Sequence, residues 1–229
     1  MSRSDFYVLI GAAALACGLA RTARTQQFTP RAISPFAAEK ARTLLRERLA
    51  CLGCHQLDGE GGRLGPDLAA PSSTTAALVY AMIRDPQRAR PGSAMPKILM
   101  SPETLELIAS YLVARRASPT GNVAIPAPRD SVARDTRTLY LTFCSGCHGT
   151  TGRGDGPNAK FLPVRPAVHV DARTMSQRSD DMLFDAIAAG GYVLGRSNRM
   201  PGFGATLTNA EIRGLVGYIR ELCRCEGPR

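Results

Sequence analysis

Cys51-Leu52-Gly53-Cys54-His55 and Cys144-Ser145-Gly146-Cys147-His148 are two copies of one spacing, C-x-x-C-H. Two thiols three residues apart on one helical turn can each add to a vinyl edge of a haem, and the next residue then turns its imidazole toward the iron. The spacing therefore predicts covalent attachment of haem c at each copy, through Cys51, Cys54 and His55 and through Cys144, Cys147 and His148. A pair of zinc or redox C-x-x-C sites is the competing reading. It is weaker, because no second C-x-x-C completes a four-ligand zinc set in either half.

Working outward, each motif opens a stretch of the same plan. A helix leads in, over 37–50 in the first copy and 137–143 in the second. A Gly-rich loop, middle helices, a Met-Pro loop and a last helix follow. The last helices align at an offset of 107 residues: Ser101 with Thr208 as N-cap, Leu105 with Ile212, Ile108 with Leu215, Tyr111 with Tyr218 and Leu112 with Ile219. The apolar positions recur at i, i+3, i+4 and i+7, an amphipathic helical face. Pro102 follows the Ser101 cap, and Thr208 with Glu211 forms a capping box. The plan predicts duplication of one haem-binding unit. The organisation is 1–25 signal or anchor, 26–35 spacer, 36–116 first domain, 117–135 Pro- and Ala-rich linker, and 136–229 second domain.

Composition supports two small cores built around a bulky group. Of 229 residues 44% are hydrophobic, but there is no Trp and aromatic residues make up 6%. Haem would supply much of the missing apolar bulk, so apoprotein should be poorly folded. The net charge of +10 is spread along the chain, with +3 on 36–116 and +4 on 136–229. No basic stripe interleaved with stacking aromatics is visible, which excludes a nucleic-acid partner. The charge is a solvated surface or a face that steers an acidic redox partner.

Residues 6–20, FYVLIGAAALACGLA, form an apolar run with Arg3 before it and Arg21 and Arg24 after it. The run is short for a spanning helix, which needs about 20 residues. It fits an export signal, which haem attachment outside the bacterial cytoplasm requires. Three fates follow: cleavage after Ala14-Leu15-Ala16, lipidation of Cys17 at a loose lipobox, or retention as a tilted anchor. A membrane tether of either kind is the favoured reading.

Taken together, the chain resembles a two-domain, dihaem class I cytochrome c over 36–116 and 136–225. The resemblance implies an all-α fold of two tandem cytochrome c-type haem domains, with first and last helices crossing and two covalently bound haem c groups. It also implies an axial methionine in each Met-Pro loop, Met95 in PGSAMPK and Met200 in SNRMPGFG. Met82, Met100, Met175 and Met182 are the other methionines near the two sites. Family members bond the ligand histidine to a proline carbonyl soon after the motif, which points to Pro66 and Pro157. Arg63 and Arg153 are candidates to pair with haem propionates. His169, the one histidine outside the motifs, is an alternative ligand at the second iron. Cys223 and Cys225 would either close a short disulfide or stay as free thiols.

Met/His ligation raises the reduction potential and closes the iron to substrate. The function expected is single-electron transfer between a membrane donor, of quinol- or dehydrogenase-type, and an oxidase or soluble cytochrome. The chain would act as a subunit of a respiratory or photosynthetic complex, on the periplasmic side of the bacterial inner membrane and tethered there, with a soluble periplasmic protein as the alternative. The expected partners are redox proteins and the membrane. The alternative function is a dihaem oxidoreductase acting on a small inorganic substrate such as thiosulfate or peroxide. Nicotinamide chemistry is excluded, because no strand–G-x-G-x-x-G–helix unit is present.

Overall fold

The computed structural model describes residues 28–116 and 134–228. The apolar run at 6–20, Cys17 and most of the proposed linker lie outside the described residues. Among the described residues no helix is long and apolar enough to cross a membrane.

The first unit begins at a cap. Ser34 accepts from the Ala37 N–H at 3.2 Å and Pro35 takes the first helical position, so α1 spans Pro35–Thr43. Both signals are local: the hydroxyl satisfies an orphan donor, and proline lacks the N–H that would otherwise be orphaned. The helix runs on as a π-turn over Leu44–Arg48 and stops at Leu49, which is extended. The motif follows in a short 3-10 turn, Ala50–Gly53. A two-residue hairpin comes next, β1 Gln56–Leu57 against β2 Glu60–Gly61, turned by Asp58 and Gly59 at positive φ. Asp-Gly is a natural type I′ pair. Then come α2 Ala76–Arg84 capped by Thr75, α3 Pro86–Ala89 capped by Asp85, and α4 Pro102–Arg115 capped by Ser101. Helix α4 packs on α1 and α2, and Ala41, Leu45, Leu52, Leu57, Ile108 and Leu112 fill the core between them. Each fully buried Leu or Ile contributes about 1.5–3 kcal/mol. Residues 28–34, read as spacer, lie against this unit: Phe28 stacks on Tyr80 at 4.4 Å and the Arg31 N–H donates to Ser110 Oγ at 3.0 Å.

The second unit repeats the plan. Asp135 caps α5 Thr136–Phe143, and α6 Ser145–His148 carries the motif. Short α7 Ala172–Met175 precedes α8 Asp180–Ala189. Helix α9 Asn209–Cys223 starts at the Thr208–Glu211 capping box, with both reciprocal bonds formed. It ends at Arg224 in the left-handed region, beside a Cys223–Cys225 disulfide with Cα atoms 5.2 Å apart. Helix α9 lies on α5 and α8, over a core of Leu139, Tyr140, Met175, Ile212, Leu215 and Ile219.

The two units touch through their loops. Asn198 Nδ2 donates to the Arg46 carbonyl at 2.9 Å, and the Lys97 N–H donates to Thr206 Oγ1 at 2.8 Å. Arg48 reaches the Tyr192 hydroxyl, and the Arg63 guanidinium lies 4.4 Å from the Phe161 ring centroid.

Candidate haem sites

In the first motif one tight turn gathers the three functional side chains. The His55 N–H donates to the Cys51 carbonyl at 2.9 Å and the Cys54 N–H to the same carbonyl at 3.2 Å. His55 Nδ1 lies 2.8 Å from the Pro66 carbonyl. A carbonyl can only accept, so Nδ1 carries the proton and Nε2 presents its lone pair to a metal. Gly65 leaves room for this ring, since a Cβ there would overlap it. Burial holds the imidazole below its ordinary pKa, hence neutral. Burial also pushes the thiols up, Cys51 to about 11 and Cys54 to about 12. A redox C-x-x-C has a depressed thiol pKa, the opposite of the direction here. Among the described residues no three His, Cys, Asp or Glu side chains converge as a metal site.

The second motif has the same local build. The His148 N–H donates to the Cys144 carbonyl at 2.9 Å, and burial raises the Cys144 thiol to about 12. Here the structure corrects one expectation. His148 Nδ1 meets the Ala167 carbonyl at 2.9 Å, and not that of Pro157. Pro157 is exposed, in a turn that folds back on the motif's own backbone. The Gly156 N–H donates to the Cys147 carbonyl at 3.2 Å and the Asn158 N–H to the Gly146 carbonyl at 3.0 Å. The chain returns to the ring only after this longer loop, and Pro166, just before Ala167, was the available signal.

His169 lies beside the ligand histidine. Its ring stacks on His148 with 4.2 Å between centroids and 14° between planes, and its Nδ1 lies 2.9 Å from the Tyr140 hydroxyl. A ring stacked on His148 would share its side of any iron that His148 held, which is not where a sixth ligand would stand. Burial, and then the neighbouring His148, push it down to about 2.

The two Met-Pro loops are both pinned. Gln87 Nε2 holds the first through the Ser93 and Met95 carbonyls, at 2.5 and 3.1 Å, and Pro96 is buried. The second is stitched to the end of α8: the Gly191 N–H donates to the Met200 carbonyl at 3.0 Å and the Phe203 N–H to the Ile187 carbonyl at 2.9 Å. Met82 sits within α2, Met100 directly before the Ser101 cap, Met175 in the core, and Met182 is exposed.

A cavity of about 450 Å³ opens in the second unit, lined by Cys144, Cys147, His148 and Met200 and walled by Phe143, Ile187, Phe203 and Leu215. Cys54, Leu64, Ala94 and Pro96 of the first unit complete the wall. Four arginines also line it: Arg165, Arg178, Arg196 and Arg199. Burial and then the charge of Arg196 hold Arg178 below its ordinary pKa, and the buried Nε of Arg199 has no partner. Crowded cations beside an apolar slot fit an anionic, apolar macrocycle, which is what haem with its propionates is. These arginines were missed in the sequence because they lie far apart along it. The two that were singled out sit elsewhere: Arg63 covers Phe161 and Arg153 is exposed.

A family model described as "Cytochrome c" matches residues 38–115, and one described as "Cytochrome C oxidase, cbb3-type, subunit III" matches 131–219. The chain is a two-domain class I cytochrome c. Its domains imply covalently bound haem c and an electron-transfer function. Among solved structures this cytochrome is similar to a c-type cytochrome named KustC0563, at 28% identity over 39% of the present chain and 98% of the other, with a TM-score of 0.32. It is also similar to the Kuenenia stuttgartiensis reducing HAO-like protein complex Kustc0457/Kustc0458, at 18% identity over 85% and 99% of the two chains, again with a TM-score of 0.32. No curated protein matches the cytochrome.

Proposed function

We propose that this cytochrome carries two haem c groups, one per domain, with His55 and Met95 as axial ligands of the first and His148 and Met200 of the second. It passes single electrons from a membrane quinol- or dehydrogenase-type donor to an oxidase or soluble cytochrome. It does so on the periplasmic side of a bacterial inner membrane, tethered through its N-terminal segment, as part of a respiratory or photosynthetic complex. The observation that carries the reading is the neutral imidazole in each motif, fixed by a backbone carbonyl at Nδ1 with Nε2 left free. The pinned Met-Pro loops support closed sixth positions, which suit outer-sphere transfer rather than turnover of a small substrate.

The test is spectroscopic. Denatured protein should keep two haems per chain in a pyridine haemochrome assay. The oxidised protein should show the near-infrared sulfur-to-iron band, and Met95→Ala and Met200→Ala should each remove about half of it. An undiminished band in either variant would move that ligand, and robust turnover of thiosulfate or peroxide by the isolated chain would overturn the carrier function. Membrane fractionation, with and without Cys17→Ser, tests the tether.

A further inference from the structure

Asn158 is 1% exposed and belongs to the loop after the second motif, yet its side chain serves both motifs. Its Nδ2 donates to the Gly53 carbonyl, inside the first motif, at 2.6 Å. The same nitrogen lies 3.3 Å from Cys147 Sγ, inside the second. Its Oδ1 accepts from the Arg63 N–H, in the loop after the first motif, at 2.7 Å. The amide orientation is forced, because a flip would set oxygen against the Gly53 carbonyl and NH2 against the Arg63 N–H.

Other contacts close around this bridge. Gly53 has no space for a side chain, since a Cβ would overlap the Arg199 carbonyl, next to Met200. A Cβ on Gly62 would come 2.6 Å from both ends of the Asn158 amide. From the other direction, a Cβ on Gly146 would meet Leu64 Cδ1 at 2.6 Å. Each attachment turn is thus pressed on a loop of the other domain, and Cys54 and Cys147 line one cavity.

We propose that Asn158 is a positioning residue for electron passage between the two haem centres: it locks the two attachment turns together so that the exchange occurs within the chain. This rests on the two-haem reading above. Cys54 and Cys147 line one cavity at the interface, so groups held by these two thiols would meet there. The step is a one-electron exchange, ferrous to ferric at one centre and ferric to ferrous at the other. No bond is made or broken and no proton moves. Asn158 acts through placement, by keeping one geometry across a contact that two separate domains would otherwise sample loosely.

The test uses holoprotein with three readouts: haem content by pyridine haemochrome, the exciton couplet in Soret circular dichroism, and the rate of intrachain equilibration after flash reduction. Wild type should show two haems, a clear couplet and fast equilibration. Asn158→Ala should keep both haems, lose most of the couplet and equilibrate at least about tenfold more slowly. Asn158→Asp, which keeps the acceptor for Arg63 and loses both donors, should also weaken the couplet. If Asn158→Ala does not accumulate, Gly62→Ala, whose new Cβ would displace the Asn158 amide, tests the same contact from the facing side and should give the same losses. Variants with both haems and a wild-type couplet and rate would overturn the proposal. Fewer than two haems in wild type would defeat the two-haem reading instead, and the haemochrome assay reports that separately.

Discussion

At Gly65 a single hydrogen decides where the His55 imidazole lies. Gly65→Ala would push a methyl group into that ring, and overpacking of this kind costs about 1–3 kcal/mol. The expected result is a lower melting temperature and a shifted midpoint potential for the first domain, with that of the second unchanged in the same redox titration. The cysteines and histidines of the motifs could be read directly from the chain, because attachment chemistry needs fixed spacing. The carbonyl behind each histidine was legible only where the loop is short. Pro66 lies eleven residues past His55, whereas Ala167 lies nineteen past His148. Nothing in local sequence announces how a longer loop will return. The cationic lining of the second cavity was hidden for the same reason, since Arg165, Arg178, Arg196 and Arg199 converge only after folding.

Among the described residues every α-helix but α6 starts at a side-chain oxygen, and removal of such a cap should be measurable. Thr208→Ala removes the hydroxyl that accepts from the Glu211 N–H, one of the two bonds of the capping box on α9, and should cost the second domain about 1 kcal/mol, read as a lower thermal midpoint. Asp135 and Asp171 cap α5 and α7. Hydrogen bonds from Thr138 and Thr174 respectively hold their carboxyls below the ordinary range. A carboxyl with a depressed folded pKa stabilises above its unfolded pKa of about 4, and that stabilisation is lost as pH falls through the folded value. Asp135→Asn should therefore flatten the acid limb of the stability curve of the second domain while changing little at neutral pH, in denaturant titrations across the acid range. The last helices were fully legible, because Ser101-Pro102 and Thr208 with Glu211 are cap signals needing no tertiary information. The first helix starts two residues earlier than the apolar pattern suggests, at Pro35. The cap pair Ser34-Pro35 sits at the end of the polar, Pro-containing stretch that reads as spacer. The π-turn at Leu44–Arg48, with no side-chain cap, has no local signature.

Across the whole molecule, both domains are positive, and the surface ion pairs, such as Arg134 with Glu211 at 3.0 Å, leave much of that charge unpaired. If the field steers an acidic redox partner, the bimolecular rate should fall as salt rises beyond about 0.1 M, where the Debye length is about 10 Å. Stopped-flow reduction at graded ionic strength measures this, and a flat profile would point to docking through apolar contacts. The duplication and the all-α fold were legible from two motifs and one helix alignment. The interface was not, because docking between domains leaves no periodic trace in either. That interface has a bearing on biogenesis. Cys147 lies beneath the Asn158 bridge, and Cys54 and Leu64 form part of the second cavity's wall. Docking of the halves thus narrows the approach to the second pair of thiols, which stay half-buried in the docked molecule. On the two-haem reading, a chain that closes before thioether formation at Cys144 and Cys147 should therefore retain less haem in the second half than in the first, which a pyridine haemochrome assay of separately matured halves would show.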